Sequence, residues 1–126
     1  MARVLFIDDD DNIRFLVQED LTLEGHSVRV APTGAEGLDA VEKERPDLVI
    51  LDVKMPGIGG LEVLRRLKET RPGLPVLMFT AYDGYRDEAR ELGADGYFIK
   101  SPDLSAVKQA VLRLTGVNGG GNRGST

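Results

Sequence analysis

The sequence has no cysteine and no tryptophan, and its only histidine is His26. Without cysteine there is no disulfide bond, no thiolate nucleophile and no cysteine-based zinc site. One histidine cannot form a histidine cluster, so only metals that prefer oxygen ligands remain as candidates. His26 itself is predicted to be a surface residue near the start of a strand.

Long hydrophobic runs and an excess of basic residues are also missing. The apolar runs are no longer than a strand, so none is predicted to span a membrane or to act as a signal peptide, and we expect a cytoplasmic protein with no membrane partner. The net charge of -5 argues against direct binding of nucleic acid, which requires a basic surface. The 126 residues are enough for one domain with a buried core.

The order of apolar patterns predicts the fold. Five runs of strand character alternate with five segments of helical spacing; the runs are residues 3–7, 27–31, 48–51, 75–79 and 97–99. This alternation predicts an α/β fold, a single-domain, doubly wound, five-stranded parallel sheet with right-handed crossovers. The folded part is predicted to cover residues 1–115, and the glycine-rich residues 116–126 are predicted to be a flexible tail or a severed linker.

Helix starts are predicted from capping signals. The spacing of Thr33 and Glu36 is that of a capping box at the start of the second helix. Asp83 is expected to cap the fourth helix. Ser101 followed by Pro102 predicts the start of the fifth helix, since proline is favoured at the first helical position.

Polar residues stand at the ends of four predicted strands. Asp8 and Asp9 follow the first strand, Asp52 follows the third, Thr80 follows the fourth and Lys100 follows the fifth. The carboxyl ends of parallel strands meet at one edge of the sheet, where ligands bind in such folds. A carboxylate at the end of a buried strand is costly unless its charge is used, so Asp52 is the candidate reacting residue.

The predicted cluster has the chemistry of phosphoryl transfer. Crowded carboxylates raise at least one pKa or attract a cation, and Mg²⁺ (or Mn²⁺) prefers oxygen ligands. Asp9, Asp52 and the backbone carbonyl of Lys54 form a predicted partial coordination shell. A carboxylate oxygen of Asp52 can attack phosphorus and form an aspartyl phosphate. Groups suited to the phosphoryl oxygens lie at the neighbouring strand ends: the Lys100 ammonium, the Thr80 hydroxyl, and the backbone N–H groups of Lys54 and Ala81.

Four motifs, specific in their combined order and spacing, carry a family resemblance. They are Ile7-Asp8-Asp9-Asp10, Leu51-Asp52-Val53-Lys54-Met55-Pro56-Gly57, Phe79-Thr80-Ala81 and Ile99-Lys100. The sequence resembles the CheY-like receiver domain of bacterial two-component response regulators, from residue 2 to about residue 115. The resemblance implies a flavodoxin-like (βα)5 fold with strand order 2-1-3-4-5.

The resemblance also implies a function in phosphorelay signal transduction. Asp52 would accept a phosphoryl group from a sensor histidine kinase or a histidine phosphotransfer protein. Asp8 and Asp9 would join Asp52 in the metal site, and Lys100 would bind the phosphate. Such a protein is a signalling phosphoacceptor that assists its own phosphorylation and dephosphorylation, and not an enzyme that turns over a separate substrate.

Further residues match the positions that transmit and time the signal in this family. Thr80 is the implied switch hydroxyl and Tyr97 the implied switch aromatic. The face formed by the fourth helix, fifth strand and fifth helix would then change shape and bind a downstream effector, and a homodimer formed on phosphorylation remains open. Lys54 and Tyr82 match positions that tune dephosphorylation, and their bulk predicts slow attack by water.

One departure from the family pattern concerns the residue after Lys100. The family usually has proline there, often with a cis peptide bond, whereas this sequence has Ser101 and places Pro102 one residue later. A cis bond before serine is costly, so a trans Lys100–Ser101 peptide is expected, and the reach of Lys100 depends on it.

Two other functions compete with the receiver hypothesis. The Asp-x-Asp pattern that begins at Asp8 is shared with phosphatases of the haloacid dehalogenase type, in which Asp8 would be the nucleophile. A phosphorylation-independent docking module would keep the fold and use its last two helices. The sequence does not decide whether the chain acts alone or was cut from a longer regulator.

Overall fold

The computed structural model describes residues 2–116, and these form five strands and five helices in alternation. The strands are β1 (Arg3–Ile7), β2 (Ser27–Ala31), β3 (Leu48–Leu51), β4 (Val76–Thr80) and β5 (Gly96–Ile99). The helices are α1 (Asp11–Leu23), α2 (Gly34–Glu44), α3 (Gly60–Thr70), α4 (Arg86–Glu91) and α5 (Ser105–Thr115).

All strand pairs in the sheet are parallel, and the strand order is β2-β1-β3-β4-β5. The predicted doubly wound sheet with strand order 2-1-3-4-5 is therefore confirmed. The chain reverses its direction of winding between β1 and β3, which is where α/β folds of this type bind ligands.

The sheet is covered on both faces. Alternate side chains of β1, β3 and β4 point into two separate apolar clusters, because successive residues of a strand face opposite sides. One cluster includes α2 and α3, and the other includes α1 and α5. All four residues of β3 are buried, so the strand that precedes Asp52 is held from both sides.

The caps of the first two helices follow the sequence signals. The Asp10 carboxylate accepts the N–H groups of Asn12 and Ile13 and caps α1. The Thr33 hydroxyl accepts the Glu36 N–H at 3.1 Å, so the predicted start of α2 is confirmed.

The predicted starts of α4 and α5 are wrong. Helix α4 begins at Arg86 after Tyr85, and the Asp83 carboxylate pairs with the Arg86 side chain and caps no helical N–H. Helix α5 begins at Ser105, three residues after Pro102. The Ser101 hydroxyl accepts the Asp103 N–H and the Asp103 carboxylate accepts the Ser105 N–H, and these local turns delay the helix.

The prediction that His26 lies on the surface is also wrong, because its side chain is only 4% exposed. His26 Nδ1 accepts the Ala2 N–H at 3.4 Å, and the Ser27 N–H donates to the Ala2 carbonyl. Pairing of the start of β1 with the start of β2 thus covers the imidazole. Burial lowers the pKa of His26.

Gly116 ends α5 in the left-handed conformation, and the rest of the predicted tail, residues 117–126, lies outside the described residues. Among helices of the described range, none has the length and apolar character needed to cross a membrane.

Candidate functional site

Strand register brings the predicted site residues together. Ile7 pairs with Leu51, so Asp8 and Asp52 leave the sheet side by side. On the other side of β3, Thr80 pairs with Ile99, the residue before Lys100. The parallel sheet therefore gathers at one edge Asp8, Asp52, Thr80 and Lys100, which lie far apart in the sequence.

Three carboxylates form the centre of the site. Each of Asp8, Asp9 and Asp52 offers an oxygen atom, and these atoms lie within 4.8 Å of one another. Asp8 is fully buried and Asp52 is 4% exposed, whereas Asp9 is exposed. Burial raises the pKa of Asp8, and the charge of Asp52 adds to this effect. The predicted rise in a carboxyl pKa is thus found at Asp8, with burial as its main cause.

This cluster fits a divalent cation. Asp8 Oδ2 is buried, and the Lys100 ammonium lies 2.8 Å from it. Asp8 Oδ1 accepts the Asp10 N–H at 2.9 Å, and Asp52 Oδ1 accepts the Val53 N–H at 2.7 Å, so both carboxylates are held in place. A set of oriented carboxylate oxygens, one of them buried, is suited to a hard cation.

Lys100 crosses the site and contacts two of its carboxylates. Its Nζ lies 2.8 Å from Asp8 Oδ2 and 3.0 Å from Asp52 Oδ2. Burial alone would lower the pKa of Lys100, but the hydrogen bonds and charges of Asp8 and Asp52 outweigh burial and raise it. Lys100 is therefore a charged group beside Asp52.

Serine in place of the usual proline after Lys100 does not prevent the lysine from contacting the carboxylates. No peptide bond between described residues is cis, so the expected trans Lys100–Ser101 bond is confirmed. The Lys100 N–H donates to the Thr80 carbonyl at 2.8 Å and continues the pairing of β4 with β5 beyond the end of the strand. This bond aims the lysine side chain at the carboxylates.

Thr80 and Ala81 line the β4 side of the site. Thr80 is fully buried, and its hydroxyl accepts the Tyr82 N–H at 3.4 Å. Ala81 follows as an exposed loop residue. The Thr80 hydroxyl and the Ala81 backbone thus lie at the carboxyl end of β4, next to the strand that precedes Asp52, as the sequence predicts.

Tyr97 lies in β5 and is linked to the loop after β4. Its hydroxyl donates to the Tyr82 carbonyl, and the ring is half-buried. The Arg86 guanidinium lies 4.8 Å from the ring centroid and also donates to the Tyr97 carbonyl at 3.3 Å. Burial raises the pKa of Tyr97. No sequence pattern indicates this contact, so Arg86 is a neighbour of Tyr97 that sequence reasoning missed.

Lys54 and Tyr82 are in contact, and a third residue joins them. Lys54 Nζ lies 5.7 Å from the Tyr82 ring centroid and 5.2 Å from that of Tyr85. Sequence reasoning missed Tyr85, because Tyr82 and Tyr85 are separated by two residues of a loop and no local pattern indicates that both rings lie beside Lys54. A hydrogen-bonding interaction with Tyr85 raises the pKa of Lys54.

Arg14 is another residue without a sequence signal. Its guanidinium donates to the Asp8 carbonyl at 2.7 Å and pairs with the Asp11 carboxylate. Because Asp8 belongs to the cluster, Arg14 ties the first turn of α1 to the loop that carries the acidic residues.

Comparison with known proteins agrees with this geometry. Residues 4–112 match the response regulator receiver domain family. The chain is 42% identical over 114 residues to sporulation initiation phosphotransferase F of Bacillus subtilis, covering 88% of this chain and 91% of that protein. It is 41% identical over 119 residues to the response regulator MprA of Mycolicibacterium vanbaalenii, but covers only 52% of MprA. The chain thus spans about half the length of the MprA proteins that it matches.

Solved structures give the same result. The response regulator TrrA of Thermotoga maritima, crystallised in complex with Mg²⁺-BeF, aligns with a TM-score of 0.86 and 38% identity, over 90% of this chain and 99% of TrrA. The chemotaxis protein CheY4 of Vibrio cholerae aligns with a TM-score of 0.84 and 30% identity, over 90% of this chain and 98% of CheY4. The chain belongs to the response regulator receiver domain family and has the CheY-like, flavodoxin-like fold, which makes it a receiver of phosphorelay signalling.

Proposed function

We propose that Asp52 accepts a phosphoryl group from a sensor histidine kinase or a histidine phosphotransfer protein. The observation that supports this best is the convergence on Asp52 of two further carboxylates and the Lys100 ammonium, at the edge of a parallel sheet. Among the three carboxylates, Asp52 is the one that follows the central strand of the sheet, between the acidic loop after β1 and Thr80 of β4.

We propose that the divalent cation is Mg²⁺ (or Mn²⁺), held by Asp8, Asp9, Asp52 and the backbone carbonyl of Lys54. The fit of the carboxylates and the Mg²⁺-BeF complex of TrrA support this assignment. When bound, the cation offsets negative charge on the phosphoryl oxygens and on the crowded carboxylates.

The proposed reaction is a direct transfer. A carboxylate oxygen of Asp52 attacks phosphorus, a new O–P bond forms, and the P–N bond to the donor imidazole breaks, so the electron pair leaves with the imidazole nitrogen. Lys100 neutralises one phosphoryl oxygen, while the Thr80 hydroxyl and the Ala81 N–H donate hydrogen bonds to others. Transfer of this kind depends mainly on positioning and electrostatics, and it needs no histidine base.

The proposed output is a change in the α4-β5-α5 face. Phosphorylation draws the Thr80 hydroxyl towards the phosphate, and Tyr97 responds through its contact with the loop that contains Tyr82. The phosphoryl group shifts the population only if it binds the rearranged state better than the resting one. We propose that this face binds a downstream effector, or a second copy of the chain after phosphorylation.

The lifetime of the signal is assigned to Lys54 and Tyr82, which we propose slow the attack of water on the phosphorylated Asp52. The contact between their side chains supports a joint role. In this account the protein is a cytoplasmic phosphoacceptor that assists its own phosphorylation and dephosphorylation, and it does not turn over a separate substrate.

Intact mass spectrometry tests the proposal. The full chain is incubated with Mg²⁺ and a small-molecule phosphoryl donor, beside an Asp52→Asn variant. We expect one phosphoryl group on the parent and none on the variant. Equal labelling of both proteins, or no labelling of a folded parent that binds Mg²⁺, would contradict the proposal.

A further inference from the structure

The Lys54 side chain connects the two loops that border Asp52. Lys54 lies on the loop between β3 and α3, two residues after Asp52, whereas Tyr82 and Tyr85 lie on the loop between β4 and α4. Its ammonium is 5.7 Å from one tyrosine ring and 5.2 Å from the other, both within the range of a cation–π interaction. The side chain therefore spans the space between the loops.

The two tyrosines are not held equally. Tyr82 is 50% exposed. Tyr85 is half-buried and packs against the apolar cluster beneath α2 and α3, and its carbonyl accepts the Ala89 N–H in the first turn of α4. Tyr85 is thus the better-packed partner of Lys54, and Tyr82 is the more exposed one.

We propose that Tyr85 is a positioning residue that holds Lys54 across the solvent side of Asp52 and thereby slows hydrolysis of the phosphorylated site. This inference rests on the function proposed above and adds a residue to it. The Asp52 side chain is only 6% exposed, so a side chain held between the two loops that follow β3 and β4 can limit the approach of water to it.

The step that Tyr85 would slow is a simple hydrolysis. A water oxygen attacks phosphorus opposite the Asp52 oxygen, the new O–P bond forms, and the P–O bond to Asp52 breaks. The carboxylate of Asp52 is regenerated, the proton of water passes to solvent, and inorganic phosphate leaves. A lysine side chain fixed between these loops would reduce the fraction of time in which water has the required line of approach.

The test is a double-mutant cycle on the full chain. The parent, Tyr85→Leu, Lys54→Ala and the double variant are phosphorylated with Mg²⁺ and a small-molecule donor, the donor is removed, and the loss of the phosphoryl group is followed by intact mass. Tyr85→Leu should hydrolyse about two- to fivefold faster than the parent, the range expected for loss of an exposed cation–π contact. In the Lys54→Ala background, Tyr85→Leu should leave the hydrolysis rate unchanged, because the side chain that Tyr85 positions is absent.

Two controls separate positioning from packing. Tyr85→Phe keeps the ring face but loses the hydroxyl, so its hydrolysis rate should lie between those of the parent and Tyr85→Leu. Leu74→Ala removes another half-buried side chain that packs on the same cluster, and should lower the stability of the protein without changing hydrolysis. A separate readout needs no phosphorylation: Tyr85→Leu should reduce the aromatic ring-current shift of the Lys54 Hε proton signals to the part that Tyr82 contributes, whereas Tyr85→Phe should keep the full shift.

The outcomes are distinct. If Tyr85→Leu hydrolyses at the parent rate, or speeds hydrolysis equally with and without the Lys54 side chain, the inference is overturned while the proposed function stands. An unchanged Lys54 NMR signal in Tyr85→Leu also overturns it. If the folded parent accepts no phosphoryl group, the proposed function fails and the inference fails with it.

Discussion

Replacement of Gly60 by alanine tests how closely α3 packs against the strand end that carries Asp52. An alanine Cβ at this position would overlap the Asp52 carbonyl oxygen and lie 2.8 Å from the Val53 Cα, and real Cβ atoms essentially never approach closer than 3.0 Å. Both neighbours are backbone atoms, so no side-chain rotation can relieve the contact. The start of α3 or the end of β3 would have to move.

The expected cost follows from two opposing effects. Overpacking at a tight site destabilises by about 1–3 kcal/mol. The higher helix propensity of alanine returns less than about 1 kcal/mol, and least at the end of a helix. We therefore expect Gly60→Ala to lower the free energy of unfolding by about 2 kcal/mol, and the melting temperature by roughly 8 °C for a domain of this size.

Urea unfolding followed by circular dichroism measures the effect, with Gly73→Ala as the matched control. A Cβ at Gly73 meets nothing within 4 Å, and Gly73 is not among the glycines with positive φ, so this variant should change stability by less than about 0.5 kcal/mol. If Gly60→Ala were as stable as Gly73→Ala, the described packing of α3 on the Asp52 backbone would be refuted.

Two further predictions concern protonation and cation binding. The pKa of His26 is lowered from 6.5 in the folded protein, so the unfolded chain binds a proton more readily than the folded one as the pH falls below 6.5. Urea unfolding should therefore show that the parent loses more stability than His26→Gln between pH 7.5 and about 5.5. Equal losses would contradict the burial of His26. Mg²⁺ at ten times its dissociation constant should stabilise the parent by about 1.4 kcal/mol in thermal unfolding. The gain should be much smaller for Asp9→Asn, a variant that leaves the two buried carboxylates in place. The same gain in both proteins would argue against Asp9 as a ligand.

Much of the site could be predicted because a parallel sheet converts sequence order into position. Once five strands are recognised, the residue after each one must lie at the same edge, and this rule alone brings Asp8, Asp52 and Thr80 together with Lys100. The strand order followed from the family resemblance. The side-chain geometry at this edge follows from the register of β1, β3, β4 and β5.

The features that sequence reasoning missed depend on contacts between loops. His26 is covered by Ala2, a residue 24 positions away, and no local pattern reports such a contact. The predicted start of α5 at Ser101 and Pro102 is wrong because the Ser101 and Asp103 side chains form local turns that compete with the helix. The partnership of Lys54 with Tyr85 arises between two loops whose conformations the apolar pattern does not specify.

The most direct test of the central claim is to locate the modified residue itself. After incubation with Mg²⁺ and a small-molecule phosphoryl donor, borohydride reduction converts an aspartyl phosphate to homoserine, and peptide mass spectrometry then finds its position. The account predicts homoserine at position 52 and an unmodified aspartate at positions 8 and 9. Homoserine in place of Asp8 would contradict it and would favour the phosphatase-like alternative, in which Asp8 is the nucleophile.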